Sequence, residues 1–174
     1  MNTMSPEELI THALERFEKP LVSYACQITG DLEAARDAVQ ETFLRLSRQD
    51  LEKLEPRLAP WLFLVCRNCA LDHRRKKGRY QELVNEEDLP VDMCPRQKIV
   101  AEEDKQQLAA LVARLPERQR ELLKLKFEGD LSYKEMAEVM KMSISHIGVQ
   151  LHETIKTLRK LWNTDHPLTD QPAP

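Results

Sequence analysis

Apolar positions recur every three to four residues from the start of the chain: Leu9, Ile10, Ala13, Leu14 and Phe17, then Leu21, Val22, Ala25 and Ile28. That period predicts a helix with one buried stripe. Ser5 followed by Pro6, Glu7 and Glu8 supplies its start, Pro20 predicts a kink or a restart, Gly30 an end, and Asp31 the cap of the next segment. A second helix over 32–47 places Ala35, Ala38, Val39, Thr42, Phe43 and Leu46 inside and Glu33, Asp37, Gln40, Glu41 and Arg45 outside. The pattern breaks over 49–58, where Pro56 and Pro60 bracket a loop. A third helix is predicted over 60–77, with Trp61, Leu62, Val65 and Cys69 in its core. Three such helices can enclose one core.

Residues 78–96 have no sustained period and are punctuated by Asn85, Pro90, Asp92 and Pro95, which reads as an acidic, flexible linker. A second helical set follows: 99–114, a helix opened by Pro116 and closed at Gly129, and helices over 132–140 and 145–162. Ser132 and Glu135 match a capping box, and Met140 to Ser143 form the turn between the last two helices. The predicted organisation is a first domain over 1–79, a linker over 80–98, a second domain over 99–162 and a frayed tail over 163–174. Only 4 glycines and 5% aromatic residues accompany many Leu, Ala, Glu, Lys and Arg residues, so the expected class is all-α.

Charge changes the picture by its distribution. The chain carries a formal net charge of -3, yet residues 67–79, RNCALDHRRKKGR, hold six Lys or Arg against one Asp, and residues 80–107 hold eight acids. A basic helix beside an acidic connector suits phosphate binding in a way the total hides. Four irregularly spaced cysteines and no apolar stretch long enough for a signal peptide or a membrane span imply the cytoplasm and no membrane insertion.

LSYKEMAEVMKMSISHIGVQLHETIKTLRK has the layout of a helix-turn-helix. Ala137 is small where two helices must approach, Ile144 and Ile147 anchor the second helix, and Leu151 and Leu158 continue its buried face. Ser145, His146, Val149, Gln150, His152 and Glu153 then fall on the exposed face, where polar side chains of a groove-sized helix read base edges. A helical hairpin that only packs a bundle would show much of the same pattern. The basic run is the second constellation: Arg67, Asn68, Leu71 and Arg75 fall near one another on one face, and Arg74, Lys76 and Lys77 extend the positive charge. A charge run alone is usually a solvated helix end, and its pairing with a helix-turn-helix strengthens the nucleic-acid reading.

The runs GDLEAARDAVQETFLRL, APWLFLVCRNCALDHRRKKGR and LPERQRELLKLKFEGDLSYKEMAEVM, in this order, resemble regions 2 and 4 of extracytoplasmic-function (ECF, group 4) sigma factors of the sigma-70 family. The resemblance implies a region 2 helical bundle and a region 4 helix-turn-helix. It implies core RNA polymerase as a partner, through its β′ coiled coil and β flap, with promoter DNA and an anti-sigma factor as further partners. Asp37, Gln40, Glu41 and Arg45 become the candidate polymerase-binding set, although Asp37 and Glu41 would also serve merely to keep a helix face soluble. Val65 and Asn68, with the 49–58 loop, become the pocket for a flipped base of the minus 10 element; Arg74 and Arg75 hold strand phosphates, and Arg67 and Lys76 complete that set. For the minus 35 duplex the matching positions are Ser145, His146, Gly148, Val149, His152 and Glu153, with Lys126 and Tyr133 on phosphates. Family members often carry Arg or Lys where Gly148, Val149 and Glu153 stand, so a different promoter preference is expected. Gln150, Lys156 and Arg159 supply contacts by helical geometry.

Other chemistries fit poorly. Cys66, Cys69 and His73 fall at i, i+3 and i+7, but a structural zinc needs four ligands and no fourth is near in sequence. The expectation is therefore no metal and no cofactor. Gly-rich phosphate loops, HExxH and nucleophile elbows are absent from the sequence, which argues against an enzyme and against a small-molecule substrate. The runner-up is a one-component helix-turn-helix regulator, which would bind duplex operator DNA without polymerase; a protein-only adaptor would bind no promoter DNA.

Overall fold

The computed structural model describes residues 5–84 and 103–165, and within them regular structure is helical. The later part of the predicted linker, Cys94 and the tail from residue 166 lie outside the described residues.

Helix α1 (Pro6–Thr29) starts at a capping box: Ser5 Oγ accepts from the Glu8 amide while Glu8 accepts from the Ser5 amide at 2.8 Å. It runs through Pro20 without interruption and buries Leu9, Ala13, Phe17, Leu21, Tyr24, Ala25 and Ile28. Gly30, at φ 69°, closes it in the left-handed region that glycine adopts without strain. Asp31 then caps α2 (Leu32–Leu46) by accepting from the Ala34 amide at 3.0 Å, a bond that lowers its own carboxyl pKa. A short helix α3 (Leu51–Leu54) and a single 3-10 turn over Glu55–Arg57 occupy the predicted loop and lead directly into α4.

Helix α4 (Leu58–Val84) exceeds the expected span, because Gly78 does not end it. One glycine lowers helix stability by only about 1 kcal/mol relative to alanine, and helix formers surround this one. Helices α1, α2 and α4 pack pairwise as a bundle. Leu62, Phe63, Cys66, Cys69 and Ala70 are buried, whereas Trp61 and Val65 are only half-buried. Burial pushes the Cys66 thiol up to about 12, so it stays protonated.

The second set comprises α5 (Glu103–Ala113), α6 (Glu117–Phe127), α7 (Tyr133–Met140) and α8 (Ile144–Asp165). The predicted capping box at Ser132 and Glu135 is present. Lys141, at φ 54°, makes the turn after α7, with its amide donating to Ala137 O, and Ser143 Oγ accepts from the His146 amide at 3.2 Å at the start of α8. Ile147 and Leu151 anchor α8 as expected, but Ile144 is 51% exposed: it precedes the buried stripe and lies at the solvent-facing mouth of the turn.

The two sets are packed on each other. Helix α6 lies against α1 and α7 against α4, and the buried apolar cluster runs continuously from Leu9 to Leu151 through both.

Candidate functional site

Three surfaces carry the residues singled out from the sequence. The first is a shallow polar groove between α2 and α4, lined by Asp37, Gln40, Glu41, Leu44, Arg45, Cys69, Asp72, His73 and Lys76. Spacings of three and four place these side chains in rows on the facing sides of two helices. All four polymerase-binding candidates thus share one concavity. Arg45 Nε donates to Glu41 Oε1 at 2.8 Å, a bond that raises the arginine pKa and fixes both side chains along the rim. Leu44 adds an apolar contact of 49% exposure beside them. Asp72, His73 and Leu44 were missed from the sequence, although the same spacing from Cys69 and Gln40 marks them.

The minus 10 candidates divide between faces of α4. Lys76 lines the α2 groove. Val65 and Asn68 are half-buried, and Arg75 pairs with Asp72 at 3.3 Å on the exposed surface. Arg67 and Arg74 instead share a stripe with Phe63 and Ala70, at spacings of four, three and four, that faces α6. Arg67 Nε donates to Glu121 Oε1 at 2.6 Å, and Tyr24 Oη donates to the same oxygen at 2.7 Å. Burial, reinforced by the Glu121 charge, holds the Tyr24 pKa well above the ordinary phenol range, so its hydroxyl remains a donor. Arg74 pairs with Glu117, whose backbone carbonyl accepts from Gln27 Nε2 at 3.2 Å.

The third surface is the outer face of α8. Ser145, His146, Val149, His152, Glu153, Lys156 and Arg159 are exposed, Val149 at 56%, while Gly148 and Gln150 are half-buried. Gln150 was expected on the open face; its backbone carbonyl accepts from Thr154 Oγ1 at 2.7 Å, on the buried side of the helix. The structure brings Lys126, Tyr133 and Gly148 together where α6, α7 and α8 meet. The Lys126 ammonium donates to Leu131 O at 3.1 Å and sits 5.8 Å from the Tyr133 ring centroid. A Cβ at Gly148 would lie 3.7 Å from the same ring, so a glycine here leaves the tyrosine face open.

Cys66 and Cys69 are buried thiols with no disulfide, and Cys66 is turned inward, 3.8 Å from Leu21 O, while His73 lies in the α2 groove. Among the described residues no group of three or more His, Cys, Asp or Glu is placed to hold a metal ion, and no helix is long and apolar enough to cross a membrane.

Comparison with known proteins matches residues 13–80 to Sigma-70 region 2 and residues 105–158 to Sigma-70, region 4. The ECF RNA polymerase sigma factor SigL of Mycobacterium tuberculosis is 30% identical over 142 residues, covering 78% of each chain. The ECF RNA polymerase sigma factor SigM of Bacillus subtilis is 27% identical over 160 residues, covering 88% of this chain and 95% of the relative. The fold resembles sigma factor RpoE from Bartonella quintana, solved with the anti-sigma factor NepR, at a TM-score of 0.64, 22% identity, and coverage of 90% of this chain and 97% of that one. It also resembles CnrH, solved with the cytosolic domain of CnrY, at a TM-score of 0.56, 18% identity and coverage of 90% and 88%. Two sigma regions in the family's order, together with a relative 30% identical over 78% of each chain, identify the chain as an RNA polymerase sigma factor of the ECF group in the sigma-70 family.

Proposed function

We propose that the α2–α4 groove docks on the β′ coiled coil of core polymerase, that α4 captures the melted minus 10 strand, and that α8 reads the minus 35 duplex while region 4 contacts the β flap. The observation that carries this reading is the convergence of Asp37, Gln40, Glu41 and Arg45 in one groove of region 2, with the outer face of α8 exposed on region 4. The chain itself makes and breaks no bond; its work is to dock, to melt and to position, and the nucleotidyl chemistry belongs to polymerase. Action on polymerase places it in the cytoplasm. An anti-sigma protein is a fitting regulator, since the structural relative RpoE was solved with one bound.

On α8, Val149 offers an apolar contact to a thymine methyl, His146 and His152 offer hydrogen bonds, and Lys156 and Arg159 supply phosphate contacts. Lys126 and Tyr133 hold the flanking backbone. With Gly148, Val149 and Glu153 in place of cations, sequence reading rests more on shape and methyl contacts than on guanine forks.

On α4, Asn68 offers both a donor and an acceptor to an extruded base, beside Val65. Asn68→Ala therefore lowers open-complex formation about tenfold or more, from the roughly 1–3 kcal/mol that a captured base contributes, and leaves affinity for core polymerase unchanged. Permanganate footprinting of melted promoter DNA checks the first and equilibrium binding to core the second. Normal melting by this variant contradicts the assignment.

A further inference from the structure

The chain has four glycines, and the fold accounts for two of them. Gly30 adopts the left-handed region at φ 69°, and a Cβ at Gly129 would come 2.8 Å from Leu125 O, too close for any side chain to be accommodated without a shift. Gly78 and Gly148 stand inside α4 and α8, the two helices assigned to nucleic acid, and packing demands neither. A Cβ at Gly78 would meet nothing within 4 Å, and one at Gly148 would rest at an ordinary van der Waals distance of 3.7 Å from the Tyr133 ring. Alanine would fit at both positions and would strengthen both helices. A glycine inside a helix, with room for a larger side chain, suits a place where a ligand approaches the backbone closely.

At Gly148 the surroundings form a notch of defined chemistry. Tyr133, the first residue of α7, is 44% exposed and supplies an aromatic wall; Ile144, one turn before Gly148 on α8, is 51% exposed and supplies an apolar edge. The Lys126 ammonium stands 5.8 Å from the Tyr133 centroid, and its bond to Leu131 O uses one of the three donors that such a group carries. An apolar face with a cation beside it matches a sugar–phosphate unit, whose ring presents C–H bonds and whose phosphate carries the charge. The position agrees: in a helix-turn-helix the first helix crosses the DNA backbone while the start of the second reaches the bases, so the meeting point of Tyr133 and α8 lies where a strand passes the groove edge. We propose that Gly148 admits one deoxyribose of the minus 35 duplex into this notch, its C–H edge on the Tyr133 ring and its phosphate toward Lys126, and that this contact sets how deeply α8 enters the major groove. This rests on the minus 35 reading of α8. A fixed depth is what lets His146, Val149 and His152 meet base edges in one register.

Stability and binding then move in opposite directions when the notch is filled. The test uses the full chain with core polymerase and a labelled promoter duplex taken from the start sites that the wild-type chain and core select from genomic fragments, at a temperature too low for melting and at fixed salt. Gly148→Ala raises the Tm of the free chain by about 2–4 °C, because alanine is the better helix former and its methyl group has room. The same change lowers duplex affinity about tenfold, since one added carbon at a close-packed contact displaces the sugar. Gly148→Leu lowers it about a hundredfold. In a Tyr133→Ala background the Gly148→Ala step loses most of its effect, because one wall of the notch is already gone. Deoxyuridine in place of thymidine through the minus 35 element removes every thymine methyl and keeps every sugar, so the tenfold ratio between wild type and Gly148→Ala persists on that duplex.

Wild-type affinity in Gly148→Ala overturns the proposal. So does a lower Tm in that variant, which would mean that the fold itself demands the glycine. A ratio that collapses to one on the deoxyuridine duplex also overturns it, by placing a thymine methyl in the notch instead of a sugar. Full additivity of the Tyr133 and Gly148 changes overturns it as well, since the two would not then share a ligand. Failure of the minus 35 reading shows separately, as a wild-type chain with core polymerase that selects no start site, or whose selected duplexes are bound equally well after the minus 35 element is scrambled.

Discussion

Replacing Asp37, Gln40 and Glu41 together by alanine lowers affinity for core polymerase about a hundredfold, with helical content and thermal stability close to wild type. Asp37 and Gln40 are exposed and Glu41 is half-buried on α2. They share no interior partner, and the Glu41–Arg45 bridge is an exposed pair of the kind that contributes about 0.3–0.5 kcal/mol. The loss therefore falls on binding. Three polar contacts at the centre of a docking groove, at roughly 1 kcal/mol each, sum to about the 2.7 kcal/mol that corresponds to a hundredfold. Titration of labelled chain with core polymerase reads it directly. Unchanged affinity would move the docking surface away from the groove.

Leu62→Ala destabilises the fold by about 3 kcal/mol. Leu62 is 0% exposed on α4, in the bundle with α1 and α2, and truncation removes three carbons while the surrounding helices relax only partly. Urea denaturation followed by circular dichroism shows the midpoint falling by roughly 1–2 M. By contrast, Val65→Ala, at a half-buried position one turn on, moves it far less. Equal shifts for the two would mean that α4 is not seated as described.

The difference between these two positions illustrates what the sequence discloses. Local signals were fully legible: the Ser5 and Ser132 capping boxes, the left-handed Gly30 and the Asp31 cap each depend on residues within three or four positions of one another. The face of α2 that lines the groove was legible for the same reason, because a helix period reports one buried side and one open side. Helix α4 departs from that assumption. It is covered by α1 and α2 and also by α7, and is tied to α6 through Arg67 and Arg74, so Phe63, Cys66 and Ala70 are buried beyond the single stripe, and Trp61 settles at the edge.

The same second covering captured Arg67 and Arg74. Their carboxylate partners stand 54 and 43 residues away, and no periodicity or spacing connects them. Read alone, a basic run predicts solvent or nucleic acid; here it meets acids of the same chain. Ile144 shows the converse. An apolar residue at the right spacing predicts an anchor, but this one sits before the first buried turn of α8 and remains open.

The most direct test of the account is reconstituted transcription with purified core polymerase on a library of genomic DNA fragments. Transcripts are expected from a discrete set of start sites when chain and core are combined, and none of them when either is omitted. A chain that fails to associate with core, or that selects duplex fragments on its own and confers no initiation, would contradict it.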